Sequence, residues 1–107
     1  MSLIEKNIEK IIELCSRYNV SELYAFGSVL TERFDEDSDI DLLVDFDAIN
    51  LSVYADNYFD FKFALENIFN RKVDLLENKA IKNPFLKKSI DSSKKIIYGQ
   101  RDKSLVV

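Results

Sequence analysis

The sequence predicts a single α+β domain that combines helices with a sheet of about four strands. Two observations carry this prediction. Apolar residues recur at helical spacing over residues 3–18 and again over residues 51–69. Between and after these segments, short runs of aliphatic and aromatic residues bounded by turn formers are typical of strands. A chain of 107 residues is large enough for one hydrophobic core, so residues 1–107 are expected to form one domain.

Composition narrows the functions and locations that the chain can have. The net charge is −4, which disfavours a broad basic surface for nucleic acid. Histidine is absent and Cys15 is the only cysteine, so an internal disulfide is excluded and a structural zinc site is implausible. The sequence contains neither a signal peptide nor a long apolar span, which predicts a cytoplasmic protein without membrane contact.

The first predicted elements are an amphipathic helix and a strand. In residues 3–18, one stripe of the helix is formed by Ile4, Ile8, Ile11 and Cys15. Ser2 is a suitable N-cap, and Glu5 three residues later would complete a capping box. Cys15 lies on the apolar stripe, which favours packing over a reactive thiol. Ser21–Phe26 has the aromatic and aliphatic composition of a short strand.

A glycine marks the turn that follows this strand. Gly27 lacks a Cβ atom, so it tolerates unusual backbone dihedrals and lets a ligand approach the main chain closely. Ser28 is predicted to cap a short helical segment, whose free N–H groups would suit a phosphate. A loop over Asp35–Ser38 leads to a second predicted strand, Asp39–Phe46.

The second strand carries two carboxylates on one face. Because side chains alternate along a strand, Asp39 and Asp41 point to one side of the sheet. The apolar residues on the other side are Ile40, Leu42 and Val44. Two unpaired carboxylates on one face of a buried strand repel each other and are costly to keep without a cation or a raised pKa. A hard divalent metal with oxygen ligands is the simplest remedy.

A long helix is predicted over Leu51–Phe69. Its main apolar stripe consists of Tyr54, Tyr58, Phe61, Leu65 and Ile68. The phenylalanines off that stripe are Phe59, Phe63 and Phe69. The helix is therefore apolar on more than one face, which indicates packing in the core first and contact with a partner second.

The remaining segments predict a third strand, a short helix and a fourth strand. Val73–Leu76 has strand composition and carries Asp74 between apolar neighbours. Pro84 is a favoured first residue of a helix, and Lys95–Tyr98 is the fourth candidate strand. Residues 99–107 are expected to form a tail.

These parts together form a candidate site for phosphoryl transfer. Asp39, Asp41 and Asp74 can hold two Mg²⁺ ions roughly 3.5–4 Å apart, which steady the attacking and leaving oxygens of an in-line displacement. The turn at Gly27 and Ser28 would hold the triphosphate tail. Each part also has a simpler interpretation, because a Gly-Ser pair is often only a turn and strand carboxylates are often solvated at a sheet edge.

The order and spacing of these motifs resemble those of a known superfamily. Gly27-Ser28, ten intervening residues and then Asp39-Ile40-Asp41 are similar to the G-S-x(9–12)-D-x-D signature of the DNA polymerase β-like nucleotidyltransferases. The minimal nucleotidyltransferase (MNT) branch shows the strongest resemblance, over roughly residues 5–99. The segments that carry it are Ser38–Val44, Arg71–Leu76 and Ile96–Tyr98.

The resemblance implies a fold, a chemistry and roles for individual residues. The fold of that family, the nucleotidyltransferase fold, is a mixed β-sheet flanked by helices. Asp39 and Asp41 would bind metal, and Asp74 would complete the metal site and activate the attacking hydroxyl. Gly27 and Ser28 would bind the phosphates of the substrate ATP, with two Mg²⁺ ions as cofactors.

The resemblance also implies a partner protein. MNT proteins are often encoded beside an all-helical HEPN protein as a toxin–antitoxin pair, and some transfer AMP from ATP to a tyrosine of that protein. This chain is therefore expected to be a Mg²⁺-dependent nucleotidyltransferase that acts as an antitoxin. The alternatives are an antitoxin that neutralises its partner by binding alone and a small-molecule transferase of the antibiotic-modifying kind. A homodimer is also compatible with the sequence.

One segment departs from the pattern of that family. Many relatives have arginines directly after Gly-Ser and a glycine a few residues further on, whereas this chain has Val29, Thr31 and Glu32. The charge of a triphosphate would then have to be met by metal, by backbone amides, or by other basic residues. The candidates are Arg33, Arg71 and Lys72.

Overall fold

A mixed four-stranded sheet organises residues 2–99, the part of the chain that the computed structural model describes. The helices are α1 (Ser2–Lys6), α2 (Ile8–Arg17), α3 (Leu51–Phe69) and α4 (Pro84–Ser93). The strands are β1 (Val20–Phe26), β2 (Ile40–Phe46), β3 (Val73–Glu77) and β4 (Lys95–Tyr98). Short 3-10 helices follow β1 and β3, at Gly27–Leu30 and Asn78–Ala80. Of the predicted tail 99–107, residues 100–107 lie outside the described part.

The four strands are ordered β3-β2-β1-β4 across the sheet. β1 pairs antiparallel with both β2 and β4, whereas β2 and β3 run parallel. Parallel neighbours need a crossover connection, which α3 provides. The predicted α+β class is therefore confirmed, and so is the mixed sheet with flanking helices that the family resemblance implied.

The main core lies between one face of the sheet and helices α1, α2 and α3. Its fully buried side chains include Leu23, Ile40, Leu42 and Val73 from the strands and Ile4, Ile11, Phe61 and Leu65 from the helices. Removal of this apolar surface from water is the main stabilising contribution to the fold.

The opposite face of the sheet is covered in part by α4. The Lys94 ammonium at the end of α4 lies 4.3 Å from the centre of the Tyr24 ring in β1. Nearer the start of α4, the Lys87 ammonium donates to Asn78 at 3.0 Å, and the Asn78 amide donates to Asp45 of β2 at 3.2 Å. Helix α4 therefore lies across this face, next to the acidic side of β2.

The first predicted helix is divided into two. The sequence predicts one helix over residues 3–18, whereas the structure has a break at Asn7. The Asn7 side chain donates to the carbonyl of Leu3 at 2.9 Å, a local bond that competes with regular helix geometry. Ser2, the predicted cap, is instead the first residue of α1. Cys15 is buried as predicted, and burial raises the pKa of its thiol to about 12.

The long helix α3 forms over the predicted residues and has a side-chain cap at its start. The Asn50 side chain accepts a hydrogen bond from the N–H of Ser52 at 3.0 Å. Asn70 adopts a left-handed conformation with a φ of 53° and ends the helix. Within residues 2–99, no helix is long and apolar enough to cross a membrane.

The phenylalanines off the main stripe of α3 have different environments. Phe59 and Phe63 are 48% and 57% exposed, and their stacked rings have centroids 6.0 Å apart. Phe69 is buried in the main core. The helix therefore combines core packing with an exposed aromatic pair, as its apolar pattern indicates.

Candidate active site

A 3-10 turn connects β1 to the loop that precedes β2. Gly27 has a φ of +75°, in the left-handed region that favours glycine, and it begins this turn. Ser28 lies inside the turn and does not cap it, contrary to the prediction, because the capping position is occupied by Phe26. The next residue, Val29, is buried in the main core. This apolar anchor fixes the turn against the sheet.

Gly27 lies directly beside the carboxylate of Asp41. The last residue of β1, Phe26, pairs with Asp41 across the β1–β2 ladder. A Cβ atom on residue 27 would be 3.3 Å from Cγ and 3.4 Å from Cβ of Asp41, and would collide with the carboxylate oxygen Oδ2. The backbone conformation therefore favours glycine at this position, and any other residue would also force the Asp41 carboxylate to move.

The three predicted carboxylates lie at the start of β2 and β3. Asp41 is the second residue of β2, and it pairs with Asp74, the second residue of β3, in the parallel ladder. Paired residues of neighbouring strands lie about 4.8 Å apart, so these two side chains leave the same face of the sheet side by side. Asp39 directly precedes β2, which begins at Ile40 and not at Asp39 as predicted. Asp41 is half-buried, whereas Asp39 and Asp74 are exposed.

Electrostatic repulsion acts within this group. The pKa of the Asp41 carboxyl is raised, first by burial and then by the negative charges of Asp74 and Asp39. Within residues 2–99, the salt bridges join other carboxylates, so none of the three is paired with a lysine or arginine of the described part. The repulsion that the sequence predicts between Asp39 and Asp41 therefore acts on Asp41, and Asp74 of β3 contributes more to it than Asp39 does.

The chemistry of these residues fits a divalent cation, although their side chains are not arranged as a finished cage. Carboxylate oxygens are the donors that Mg²⁺ prefers, and a cation would offset the repulsion that raises the pKa of Asp41. In residues 2–99, no three His, Cys, Asp or Glu side chains already converge tightly enough to coordinate one ion. Coordination by all three carboxylates would therefore require side-chain movement, which exposed Asp39 and Asp74 are free to make.

Arg71 braces the loop before β2. Its Nη1 donates to the carbonyls of Asp35 and Ser38, at 2.8 and 2.9 Å. Its guanidinium carbon also lies 4.5 Å from the centre of the Phe34 ring. These contacts do not support the expectation that Arg71 meets a triphosphate. From the sequence alone, Arg71 can be recognised only as a positive charge close to Asp74. Its contacts are made with a loop that is distant in sequence, so the sequence does not reveal them.

Polar side chains of α3 hold the outer edge of β3, a role that the sequence analysis missed. The Tyr58 hydroxyl donates to the carbonyl of Leu75 at 2.6 Å, and the main-chain N–H of Val73 donates to Glu66 at 2.9 Å. Both bonds satisfy backbone groups of an edge strand, and they flank Asp74 along the chain. One feature of the sequence points to this role. Tyrosines occupy positions in the apolar stripe of the helix, and a buried tyrosine hydroxyl needs a hydrogen-bond partner.

A second tyrosine of the stripe reaches the end of β3. Tyr54 donates a short hydrogen bond to Glu77. Burial, followed by this bond and the charge of Glu77, raises the pKa of the Tyr54 hydroxyl. These groups line a pocket of about 200 Å³ together with residues 44–49, at the opposite end of β2 from Asp41. The pocket is therefore separate from the site of Asp39, Asp41 and Asp74, none of which lines it.

Comparison with known proteins places these residues in a family context. The family model described as "Polymerase beta, Nucleotidyltransferase" matches residues 9–103. A protein of Methanocaldococcus jannaschii, provisionally named a protein adenylyltransferase, is 40% identical over 78 residues, which are 73% of this chain and 77% of that protein.

Solved structures have the same fold. A structure provisionally identified as a minimal nucleotidyltransferase has a TM-score of 0.71 at 27% identity, over 86% of this chain and 90% of that one. A chain from the complex of a tri-AMPylated Shewanella oneidensis HEPN toxin with an MNT antitoxin has a TM-score of 0.64 at 21% identity. That match covers 95% of this chain and 77% of the other, and at this identity it shows the fold alone.

Proposed function

The chain belongs to the polymerase β nucleotidyltransferase family, and we propose that it transfers AMP from ATP to a hydroxyl group of a partner protein. The observation that carries this proposal is the pairing of Asp41 with Asp74 beside Gly27. A carboxylate pair with no positive partner among the described residues, next to a turn without a side chain, suits a metal-bound phosphate.

Asp39, Asp41 and Asp74 would hold the metal. Two Mg²⁺ ions, when bound, would neutralise the phosphates and steady the attacking and leaving oxygens in line. Half-buried Asp41 is fixed within β2 and would provide the constant ligand. Exposed Asp39 and Asp74 would close around the ion from either side, and the repulsion now present among the three would become an attraction for the cation.

The reaction would make and break one bond each at the α-phosphorus of ATP. The hydroxyl oxygen of the acceptor forms a bond to the α-phosphorus, and the bond from that phosphorus to the bridging oxygen breaks, so pyrophosphate leaves. The hydroxyl proton passes to Asp74, whose exposed carboxylate is accessible to an acceptor from outside. In-line geometry and charge neutralisation would supply most of the rate enhancement.

The turn at Gly27 and Ser28 would hold the nucleotide phosphates. Gly27 is exposed and has no Cβ, so a phosphate can approach its main chain and the neighbouring Asp41 together. Three basic residues are candidates for neutralising the phosphate charge. Of these, Arg33 and Lys72 are exposed and remain available for that role. Arg71 is engaged by the loop before β2.

The proposed acceptor is a tyrosine of a helical HEPN-type protein, which the transfer would silence as an antitoxin does. The M. jannaschii relative is named for protein adenylylation, and the S. oneidensis toxin carries AMP groups in its complex with an MNT antitoxin. Asp39 and Asp74 are exposed, so a large acceptor can reach them without entering a deep pocket. This location agrees with a macromolecular acceptor.

A transfer assay tests this proposal directly. The chain is mixed with a HEPN-type protein from the same genome, Mg²⁺ and ATP labelled at the α-phosphate, and the partner is examined by mass spectrometry. We expect a mass increase of one adenylyl group per modified tyrosine, lost in Asp41→Asn. Asp45→Asn is the matched control, since Asp45 shares the strand and face of Asp41 but bonds to Asn78. Labelling that persists in Asp41→Asn would refute the proposed role of the carboxylates.

Neutralisation by binding alone is a second candidate function. The exposed Phe59–Phe63 pair favours it, because a stacked aromatic surface can bury apolar area against a partner without any chemistry. In that case the partner would be neutralised without ATP, and Asp41→Asn would be as effective as the wild type. Toxin activity measured with and without ATP separates the two functions.

A further inference from the structure

Asp39 is the least anchored of the three carboxylates. Asp41 lies within β2 and Asp74 within β3, so ladder hydrogen bonds fix their backbones. Asp39 lies before the first residue of β2 and its side chain is exposed. A metal site that includes Asp39 therefore needs another device to keep this residue beside the strands.

The turn between α3 and β3 supplies contacts on both sides of Asp39. The Nη1 of Arg71 donates to the carbonyl of Ser38, the preceding residue, at 2.9 Å. The main-chain N–H of Ile40, the following residue, donates to the carbonyl of Lys72 at 3.1 Å. Two consecutive residues of one turn thus hold the backbone immediately before and after Asp39.

Arg71 is itself held by an aromatic support. Its guanidinium carbon is 4.5 Å from the centre of the Phe34 ring, and Phe34 packs partly buried against the main core. The same Nη1 also donates to the carbonyl of Asp35 at 2.8 Å. Left-handed Asn70 ends α3 directly before Arg71 and turns the chain toward β3. One half-buried side chain therefore connects the core, the loop and the strand that carries Asp74.

The loop has hydrogen bonds of its own that do not need Arg71. The N–H of Asp37 donates to the Asp35 carboxylate at 2.9 Å, and the N–H of Ser38 donates to the Asp35 carbonyl at 3.2 Å. Loss of the Arg71 side chain is therefore expected to leave the loop folded but free to move relative to β3. The effect should be local to Asp39 and should not unfold the domain.

We infer that Arg71 is a positioning residue, which holds Asp39 beside Asp41 and Asp74 through its hydrogen bonds and its stacking and not through its charge. The inference rests on the proposed function, since the metal role of Asp39 is part of that proposal. Lysine keeps the charge but lacks the rigid planar guanidinium, whose Nη1 donates to both carbonyls while its flat face lies over Phe34. Arg71→Lys should therefore resemble Arg71→Ala, which a purely electrostatic role would not allow.

A Mn²⁺ titration of the ¹⁵N-labelled chain, followed by paramagnetic broadening of its amide signals, tests the inference. Loss of a residue that orients a metal ligand typically weakens metal binding by about 10- to 100-fold, so we expect the half-saturating Mn²⁺ concentration to rise by about that factor in Arg71→Lys and Arg71→Ala. Lys82→Ala is the control: it removes one exposed positive charge outside this turn and leaves the contacts of Arg71 and Lys72 in place. Its half-saturation should stay within about twofold of the wild type.

The amide signals themselves provide a readout that needs no metal. In both Arg71 variants the Asp39 and Ile40 amides should shift and the Ile40 amide should exchange faster, while circular dichroism keeps the wild-type melting profile apart from a small decrease. Mn²⁺ binding by Arg71→Lys equal to that of the wild type, or an equal loss in Lys82→Ala, would overturn the positioning role. Absence of Mn²⁺ binding in the wild type would instead overturn the proposed function, and the amide shifts would still decide whether Arg71 holds the loop.

Discussion

The two faces of β2 differ in the charge that they carry. On one face Ile40, Leu42 and Val44 are essentially inaccessible to solvent and belong to the main core. On the other face Asp41 and Asp45 are half-buried on either side of fully buried Leu43, and the pKa of Asp41 is raised by burial and by neighbouring carboxylates. One face of β2 thus stabilises the fold, whereas the carboxylates on the other face destabilise it.

This difference marks the acidic face of β2 as the candidate functional site. A sequence that optimised stability alone would not place Asp41 next to Asp74 in adjacent strands without a positive partner. Deviations of this kind are expected at functional sites, where ligand binding offsets the cost. The apolar face keeps the strand in place, while the acidic face carries the repulsion that raises the pKa of Asp41.

The apolar face should give the largest effect on stability. Leu42→Ala removes a fully buried side chain from the centre of the core, and such changes cost about 2–5 kcal/mol in the free energy of unfolding. Urea denaturation measures the change. Leu51→Ala is the matched control, because Leu51 is 88% exposed and the same substitution there should change the free energy by less than about 0.5 kcal/mol. Similar losses at both positions would contradict the core assigned to β2.

Gly27→Ala tests the contact between the turn and the acidic face. The new Cβ meets Asp41 in a backbone conformation with a φ of +75°, and we expect a loss of about 1–3 kcal/mol in the free energy of unfolding. In the Asp41→Ala background the carboxylate is gone and only the backbone strain remains, so the loss should be smaller. A double-mutant cycle measures the difference. Strictly additive losses would mean that the turn and the carboxylate are independent.

The sequence predicts the apolar face of β2 better than it predicts the arrangement of the acidic face. The burial of Ile40, Leu42 and Val44 follows from a period of two, and the extent of α3 follows from a period near 3.6, because both patterns are local. The family resemblance implies that Asp74 joins Asp41 in one site, but the parallel pairing of β2 with β3 that brings them together was not predicted, because it joins segments that are distant in sequence.

The features that the sequence analysis missed are all set by contacts between distant segments or by a single polar side chain. Arg71 looks like a phosphate ligand in the sequence, and its bonds to the loop before β2 are visible only in three dimensions. The break at Asn7 arises from a side-chain bond to Leu3 within an otherwise continuous helical pattern. The sequence predicts that Ser28 caps a helix, but the 3-10 turn begins one residue earlier, at Gly27.

Asp41→Asn tests the cost on the acidic face through its pH dependence. Because the pKa of Asp41 is raised, the folded state holds this proton more tightly than the unfolded state does. The wild type therefore loses stability as the pH rises from the ordinary carboxyl pKa, about 3.9, through the raised value, and the loss persists at pH 7. Asn stays neutral, so the variant should be more stable than the wild type at pH 7, with the advantage shrinking toward acid pH in thermal melts.

Mg²⁺ should reverse the advantage of Asp41→Asn. A ligand present at ten times its dissociation constant stabilises the folded state by about 1.4 kcal/mol, and this gain requires the charged carboxylate. Thermal melts at increasing Mg²⁺ should therefore raise the melting temperature of the wild type and leave that of Asp41→Asn nearly unchanged. Asp45→Asn should respond to Mg²⁺ as the wild type does. An equal response of the wild type and Asp41→Asn would place the metal elsewhere.

The smallest expected effect concerns the bonds that attach α3 to the strand bearing Asp74. Tyr58→Phe removes the hydroxyl that donates to the Leu75 carbonyl at 2.6 Å and should cost about 0.5–1.5 kcal/mol, measured by urea denaturation. The control is Tyr18→Phe, whose ring centroid lies 6.0 Å from that of Phe61. This substitution keeps the ring, so we expect the free energy of unfolding to change by less than about 0.5 kcal/mol. Equal effects at both tyrosines would mean that apolar packing alone holds α3 to β3. The position of Asp74 would then depend on the core, and the two faces of the sheet would be coupled more closely than the edge hydrogen bonds suggest.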